Sequence, residues 1–371
     1  MKTTLKGIVK EYSIRNKNNE NIRVYSITNS TGFIPSTEYF SKEVFSKDLS
    51  TYKIVEKGMI AYNPSRINVG SVACQDKEKR VIVSPLYVVI KVDSSVLLPQ
   101  ILELFLKSEI GQKQIKSLTS GSVRDSLKYS ALERIEINIP SLIEQKEILR
   151  NISKLSDIIK KRNQQLFEIE NVAKSRFLEM FGNVKSSKKI SHFVDSNIVS
   201  AKKAYDENTT IKYIDISSVD NKSFSIETIT EYCFKDAPSR AQQCVISGDI
   251  LVSTVRPNLK NIAVVESTDK NLVASSGFCV LRAVKCPKEF LFGIISSDDF
   301  TNAMVGLTTG ANYPAIKDSD ILKYPVPDTS STNMEFYANF IQQLDKSKFR
   351  IKKSLEKLEL TYKALLQEYF G

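Results

Sequence analysis

At 371 residues the chain is too long for one ordinary hydrophobic core, so two or three domains are expected. Its 42% hydrophobic and 26% charged residues are those of globular material, and no apolar run reaches the ~20 residues of a spanning helix, which excludes a helical membrane protein. A formal charge of +11 favours a polyanionic partner over a basic one.

In chain order, the opening "MKTTLKGIVKEYSIR" has charges and no apolar core of a signal peptide. Five scattered cysteines (Cys74, Cys233, Cys244, Cys279, Cys286) include no CxxC pair, and the expectation is reduced thiols in a cytoplasmic protein. Residues 1–140 hold 21 basic and 14 acidic side chains, so most of the positive excess lies early in the chain. Within them "EKGMIAYNPSRINVGSVA" (56–73) predicts a turn glycine, an apolar strand and a polar loop, "VSPLYVVIKV" (83–92) a buried strand, and 98–117 a helix.

Residues 118–141 read "LTSGSVRDSLKYSALERIEINIPS", and 307–328 read "LTTGANYPAIKDSDILKYPVPD", with Gly121 and Gly310 lying 189 positions apart. Each is followed by a long helical stretch without Pro. From Ile148 a 4-3 step selects Ile148, Ile152, Leu155, Ile159, Arg162, Leu166, Ile169, Ala173, Arg176 and Met180, an a/d seam. Advancing 189 positions gives Tyr337, Ile341, Leu344, Lys348, Ile351, Leu355, Leu358, Tyr362, Leu365 and Tyr369, the same seam in the same frame. A 40-residue helix is about 60 Å long and needs another long helix to cover its stripe. Its own repeat is the natural partner. Both helices end in Phe-Gly, where the glycine suits a C-terminal stop.

The intervening segment 183–328 has 17 basic and 17 acidic residues and repeats the early pattern. "SGDILVSTVRPNLKNIAVV" (247–265) answers 56–73, with Arg eight residues after a glycine in both (Gly58 to Arg66, Gly248 to Arg256). "ASSGFCVLRAV" (274–284) answers 83–92, and a helix follows near 287–305. The expectation is an internal duplication of domain plus helix. Its parts are a first domain at 1–140, a long helix at 141–182, a second domain at 183–328 and a long helix at 329–371.

Catalytic signatures are absent from the sequence. The one histidine, His192, has no nearby Cys or second His, and no HExxH, phosphate-binding loop or GxGxxG occurs. Asn312–Ala315, "NYPA", has the wrong order for the Asn-Pro-Pro-aromatic tetrapeptide of amino-methyltransferases. The chain reads as a binding protein with no active site, cofactor or metal of its own.

Two variable segments, each followed by a similar long helix, resemble the specificity subunit of type I restriction-modification enzymes. "NIPSLIEQKEI" (138–148), "RFLEMFG" (176–182) and "SGDILVSTVRPN" (247–258) are similar to that family's wording. The second helix lead-in lacks the pair formed by Glu144 and Gln145, leaving partner contacts there open. The resemblance implies an α+β fold: two paralogous mixed α/β target-recognition domains joined by two long antiparallel coiled-coil helices, with a pseudo-two-fold repeat. It implies that each domain reads half of a bipartite, asymmetric target in double-stranded DNA. The helix pair would set the spacer. Methyltransferase subunits carrying S-adenosylmethionine would dock on it, and a motor-nuclease subunit would join for cleavage. A methylation-only system, a scaffold without DNA readout and a nuclease with an unfamiliar site are the other readings.

Lys and Arg suit phosphates, whereas Arg, Asn and Gln read base edges. Candidate DNA contacts in the first domain are Arg15, Lys17, Arg23, Tyr62, Asn63, Arg66, Ser122 and Arg124. In the second they are Lys202, Lys203, Thr254, Arg256, Asn258, Thr309, Asn312, Tyr313 and Lys317. The recurrence of Arg66 and Arg256 in equivalent loops sets them first.

Overall fold

The computed structural model describes residues 2–29, 31–39, 45–119, 126–195, 197–310 and 314–371. Two compact units emerge, Met1–Asn163 with Lys353–Gly371, and Gln164–Lys352. Their limits fall inside the long helices, because each helix end is buried by the unit it enters.

Each unit is built on a four-stranded antiparallel sheet of one topology. In the first, the order is Val9–Glu11, Val88–Val92, Ile60–Tyr62, Val72–Cys74. In the second it is Val194–Asp195, Phe278–Ala283, Ile250–Ser253, Ile262–Val264. Registers correspond too, with Ile60 opposite Ile90 and Ile250 opposite Leu281. Both turn glycines have the left-handed backbone expected of them, φ 88° at Gly58 and 96° at Gly248.

These sheets are covered on both faces, which explains their nearly continuous β-branched and aliphatic runs. Ile60 and Tyr62 face the helical side with Val72 and Ile90, whereas Ala61, Ala73 and Val89 face a second layer. In the second unit Ile250, Val252 and Leu281 face the helices, and Leu251, Ala263 and Val280 the other layer. That second layer is a four-stranded sheet in Gln164–Lys352, where Thr210–Ile214 runs parallel to Leu272–Ser275. The first unit has the strand pair Lys53–Glu56 with Arg80–Val83 and the hairpin Tyr25–Thr28 with Gly32–Pro35.

On the helical side, the helix expected over 98–117 is two, Pro99–Lys107 and Glu109–Thr119. Ser108 breaks it with an extended backbone, donating to the Phe105 carbonyl and accepting from Gly111 N–H. A Cβ on Gly111 would lie 2.1 Å from the Phe105 oxygen, so this corner admits only glycine. The equivalent corner in the second unit uses Ser297, whose hydroxyl accepts from Phe300 N–H between Lys288–Ile295 and Asp298–Gly306.

The long helices are Leu142–Phe181 and Ser331–Phe370, 40 residues each and starting 189 positions apart. Every position of the predicted seam is buried or half-buried. In the first unit the start of one helix packs antiparallel on the end of the other, through Ile148, Ile152, Leu366 and Phe370. In the second, Phe177 and Phe181 stack edge-on to Tyr337 at 5.5 and 5.6 Å. The charged seam positions have their own partners. Lys348 Nζ donates to Glu170 at 2.9 Å, and Arg176 pairs with Glu179 while lying over the Phe336 ring. The helix ends are fixed by the buried phenylalanines more than by the glycines: Gly182 is not left-handed and continues the ladder, its N–H donating to Leu178 O.

The Glu-Gln pair belongs to the fold. Glu144 forms a capping box with Ser141: Ser141 N–H donates to its carboxylate at 2.8 Å, and Ser141 Oγ accepts from Glu144 N–H. That contact holds the carboxyl below its usual range. Gln145 is 0% exposed. Its Oε1 accepts from Leu98 N–H at 2.8 Å, and its Nε2 donates to the Val96 and Pro140 carbonyls, both at 2.9 Å. It thus bolts the long helix to the start of Pro99–Lys107. The second copy buries Met334 at this position instead. Gln145→Ala is predicted to destabilise the protein by about 2 kcal/mol, because three backbone groups lose the buried amide that partners them. Thermal unfolding measures this, and a change within error of wild type would show that the amide does not hold the corner.

Candidate nucleic-acid interface

In both units the connection leaving the central strand toward its hairpin partner is a single 3-10 turn, Ile67–Val69 and Pro257–Leu259. Arg66 and Arg256 are its N-caps and both are exposed. The equivalence read from the sequence is therefore structural. The two differ in backbone, with φ −132° at Arg66 and 51° at Arg256. A left-handed non-glycine residue costs roughly 1 kcal/mol or more, so Arg256 is held there by its surroundings. Its N–H donates to Pro314 O at 2.8 Å.

Each turn is tied to the segment that precedes the long helix. In the first unit Leu127 N–H donates to Pro64 O at 3.0 Å, and Gln112 Nε2 donates to Ile67 O at 3.0 Å. In the second, Ile316 N–H donates to Thr254 O at 2.9 Å, and Thr309 and Ala315 exchange two backbone bonds of 3.0 Å. Gly310 then turns with φ 92°. Arg256, Thr309 and Lys317 are thereby brought to one place, with Lys317 exposed at the N-cap of Asp318–Leu322. Its counterpart, Lys128, N-caps Tyr129–Leu132 in the first unit. The aligned turns also place Asn68 in the position of Asn258, both exposed. Comparison of the loops at offsets of 190 and 189 residues reveals Asn68 and Lys128 respectively, which charge and loop composition alone pass over.

Two candidates are withdrawn by burial. Tyr62 is 0% exposed, lying beneath the helices, and burial pushes its phenol well above the usual range. Thr254 is 8% exposed and its Oγ1 donates to Gly277 O at 3.0 Å. Neither side chain can meet a duplex. Arg23 is also a poor phosphate ligand, because Glu38 at 2.9 Å and Glu78 at 3.7 Å surround its guanidinium with negative charge. Asn63 is half-buried and accepts from Ser65 N–H, so it shapes the turn.

Arg15 and Lys17 are exposed on either side of buried Asn16, whose amide closes a turn onto the Glu20 backbone. Lys202 and Lys203 are exposed on Ala201–Ala204, which lies on strand Ala241–Cys244 of the second layer. Arg240, absent from the candidates, is exposed immediately before that strand. Its carbonyl accepts from Ser276 N–H, next to the Gly277 oxygen that Thr254 holds. Ser122, Arg124, Asn312 and Tyr313 lie outside the described residues. Among the described residues no cluster of His, Cys, Asp and Glu could hold a metal, and no helix is long and apolar enough to cross a membrane.

Residues 5–171 match the family described as type I restriction modification DNA specificity domain. The Arg66 turn lies within the matched residues. Over 289 residues the chain is 24% identical to the type I restriction enzyme MjaVIII specificity subunit of Methanocaldococcus jannaschii, spanning 69% of this chain and 68% of that one. The S subunit of a type I restriction-modification system from M. genitalium superposes with a TM-score of 0.57 at 15% identity, over 100% of this chain and 96% of the other. A chain solved in work on complex assembly and conformational transition of the type I R-M system gives 0.59 at 14% identity, over 100% and 97%. At these identities the structural likeness is one of fold. The chain is thus similar to type I restriction-modification specificity subunits, by a domain match over residues 5–171 and by the curated relative over 289 residues.

Arg256→Ala is predicted to weaken specific DNA binding by roughly 1–3 kcal/mol if the guanidinium reads a base. Titration of specific and random duplexes distinguishes the roles: equal loss on both assigns a phosphate contact, and no loss on either removes Arg256 from the interface.

Proposed function

We propose that each unit reads one half of a bipartite, asymmetric DNA target and that the chain itself performs no chemistry. The observation carrying this reading is the pair of equivalent Arg-capped turns, set on sheets of identical strand order but surrounded by different side chains. Duplex DNA has local two-fold symmetry, and a symmetric reader addresses half-sites about one helical turn apart. A reader made of two diverged copies keeps the paired scaffold and loses the need for a palindrome. Gly70 against Lys260 and Ile67 against Pro257 show how far the loops have drifted.

The long helices are proposed to fix the length of unread spacer between half-sites and to carry the partner subunits. Methyl transfer would come from methyltransferase subunits that bind S-adenosylmethionine, and cleavage from a motor-nuclease subunit where one is present. No part of this chain is assigned to the cofactor.

The test is to co-express the chain with a methyltransferase subunit of its own system and map the methylated bases genome-wide. A single split motif with two unlike halves is expected. A continuous or palindromic motif would contradict the two-reader proposal, and no methylation with any such partner would contradict the DNA-reading role.

A further inference from the structure

The two Arg-capped turns share a feature that positive charge does not explain. Three residues after each arginine an aliphatic side chain stands in solvent, Val69 at 56% exposure and Leu259 at 40%. The frames coincide throughout. Arg66 and Arg256 cap the turn; Ile67 and Pro257 are buried and anchor it. Asn68 and Asn258 are exposed, Val69 and Leu259 follow, and Gly70 and Lys260 close it in the left-handed conformation with φ 89° and 52°. The hydrogen bonds match as well. Val69 N–H donates to Arg66 O at 3.1 Å and Leu259 N–H to Arg256 O at 2.9 Å, while Gly70 and Lys260 each donate to the turn's first residue at 3.0 Å.

A lone exposed aliphatic is ordinary on any surface. Its retention at one position in two copies whose neighbouring residues have diverged is not. The apolar residue ends the same single turn that the arginine caps, so the two stand exposed on one short loop. A solvent-exposed aliphatic beside a guanidinium and an amide suits a surface that is itself both polar and apolar. The major groove of DNA is such a surface: acceptors on guanine and adenine suit Arg and Asn, and the C5-methyl of thymine is its one apolar feature.

We propose that Val69 and Leu259 are specificity-determining residues, each packing on the C5-methyl of a thymine in the half-site its own unit reads. This rests on the DNA-reading role proposed above. The differing φ at Arg66 and Arg256 sets the two arginines at different angles to a common turn, so the thymine need not occupy the same place in the two half-sites.

The experiment uses the complex assembled with its methyltransferase subunits and a duplex carrying the mapped motif. Thymines are replaced singly by deoxyuridine, which lacks only the methyl group. In the wild-type complex one replacement in each half is expected to weaken binding about three- to fivefold, the worth of one buried methyl. Val69→Ala should abolish the effect in one half and leave the other intact, and Leu259→Ala should do the converse. Both side chains are exposed, so thermal unfolding of the variants should be unchanged. Deoxyuridine effects that persist in both variants would overturn the proposal, as would half-sites without an A·T pair. Loss of binding that does not depend on the methyl would also overturn it, marking an apolar wedge between base steps or a protein contact. Failure to obtain any methylated motif would instead overturn the DNA-reading role itself.

Discussion

The constraint on which everything else depends is the apolar seam of the long helices. A 40-residue amphipathic helix is not stable in water by propensity alone; its stripe must be covered. Each of the two helices carries a stripe in the same register, 189 residues apart, and all seam positions of both are buried or half-buried. Within each unit the start of one helix meets the end of the other, so the helices serve both copies at once. Divergence is therefore tolerated in the loops far more than in the seam. Insertion of a single residue into either helix would turn its stripe by about 100° and expose it.

The second constraint is the doubly covered sheet. With helices on one side and a second β layer on the other, the central strands have no solvent face, and the protein's variable chemistry is confined to turns at the strand ends. Those turns are stiff. The Arg256 turn is held by backbone bonds from Arg256 to Pro314 and from Ile316 to Thr254, and by the Thr254–Gly277 contact. Arginine, asparagine and an aliphatic side chain are thus presented on a preorganised loop, which limits the entropy lost on binding.

The duplication, both long helices and their seam were legible in the sequence, because a 4-3 period over 40 residues and a fixed offset are strong signals. The turn glycines Gly58 and Gly248 were legible from backbone chemistry. Tyr62 and Thr254 were not. A residue at the end of a strand reads as a loop residue until the second covering layer is known, and that layer comes from distant segments. Gln145 misled in the other direction: a polar residue at a helix start suggests a surface, yet its amide is buried and satisfies three backbone groups. Asn68, Val69 and Leu259 became visible only when the two turns could be compared as structures, since their stretches share little beyond Arg and Asn.

The central claim is that two readers with separate specificities hang on one shared helical frame. Its most direct test replaces the first reader, residues 1–140, with the corresponding segment of a type I specificity subunit, leaving both long helices and the second reader untouched. The methylated motif of the resulting complex is then mapped. The account predicts a motif with one half changed, the other half retained and the spacer length unaltered. A motif changed in both halves, or a complex that methylates the original sequence, would contradict it.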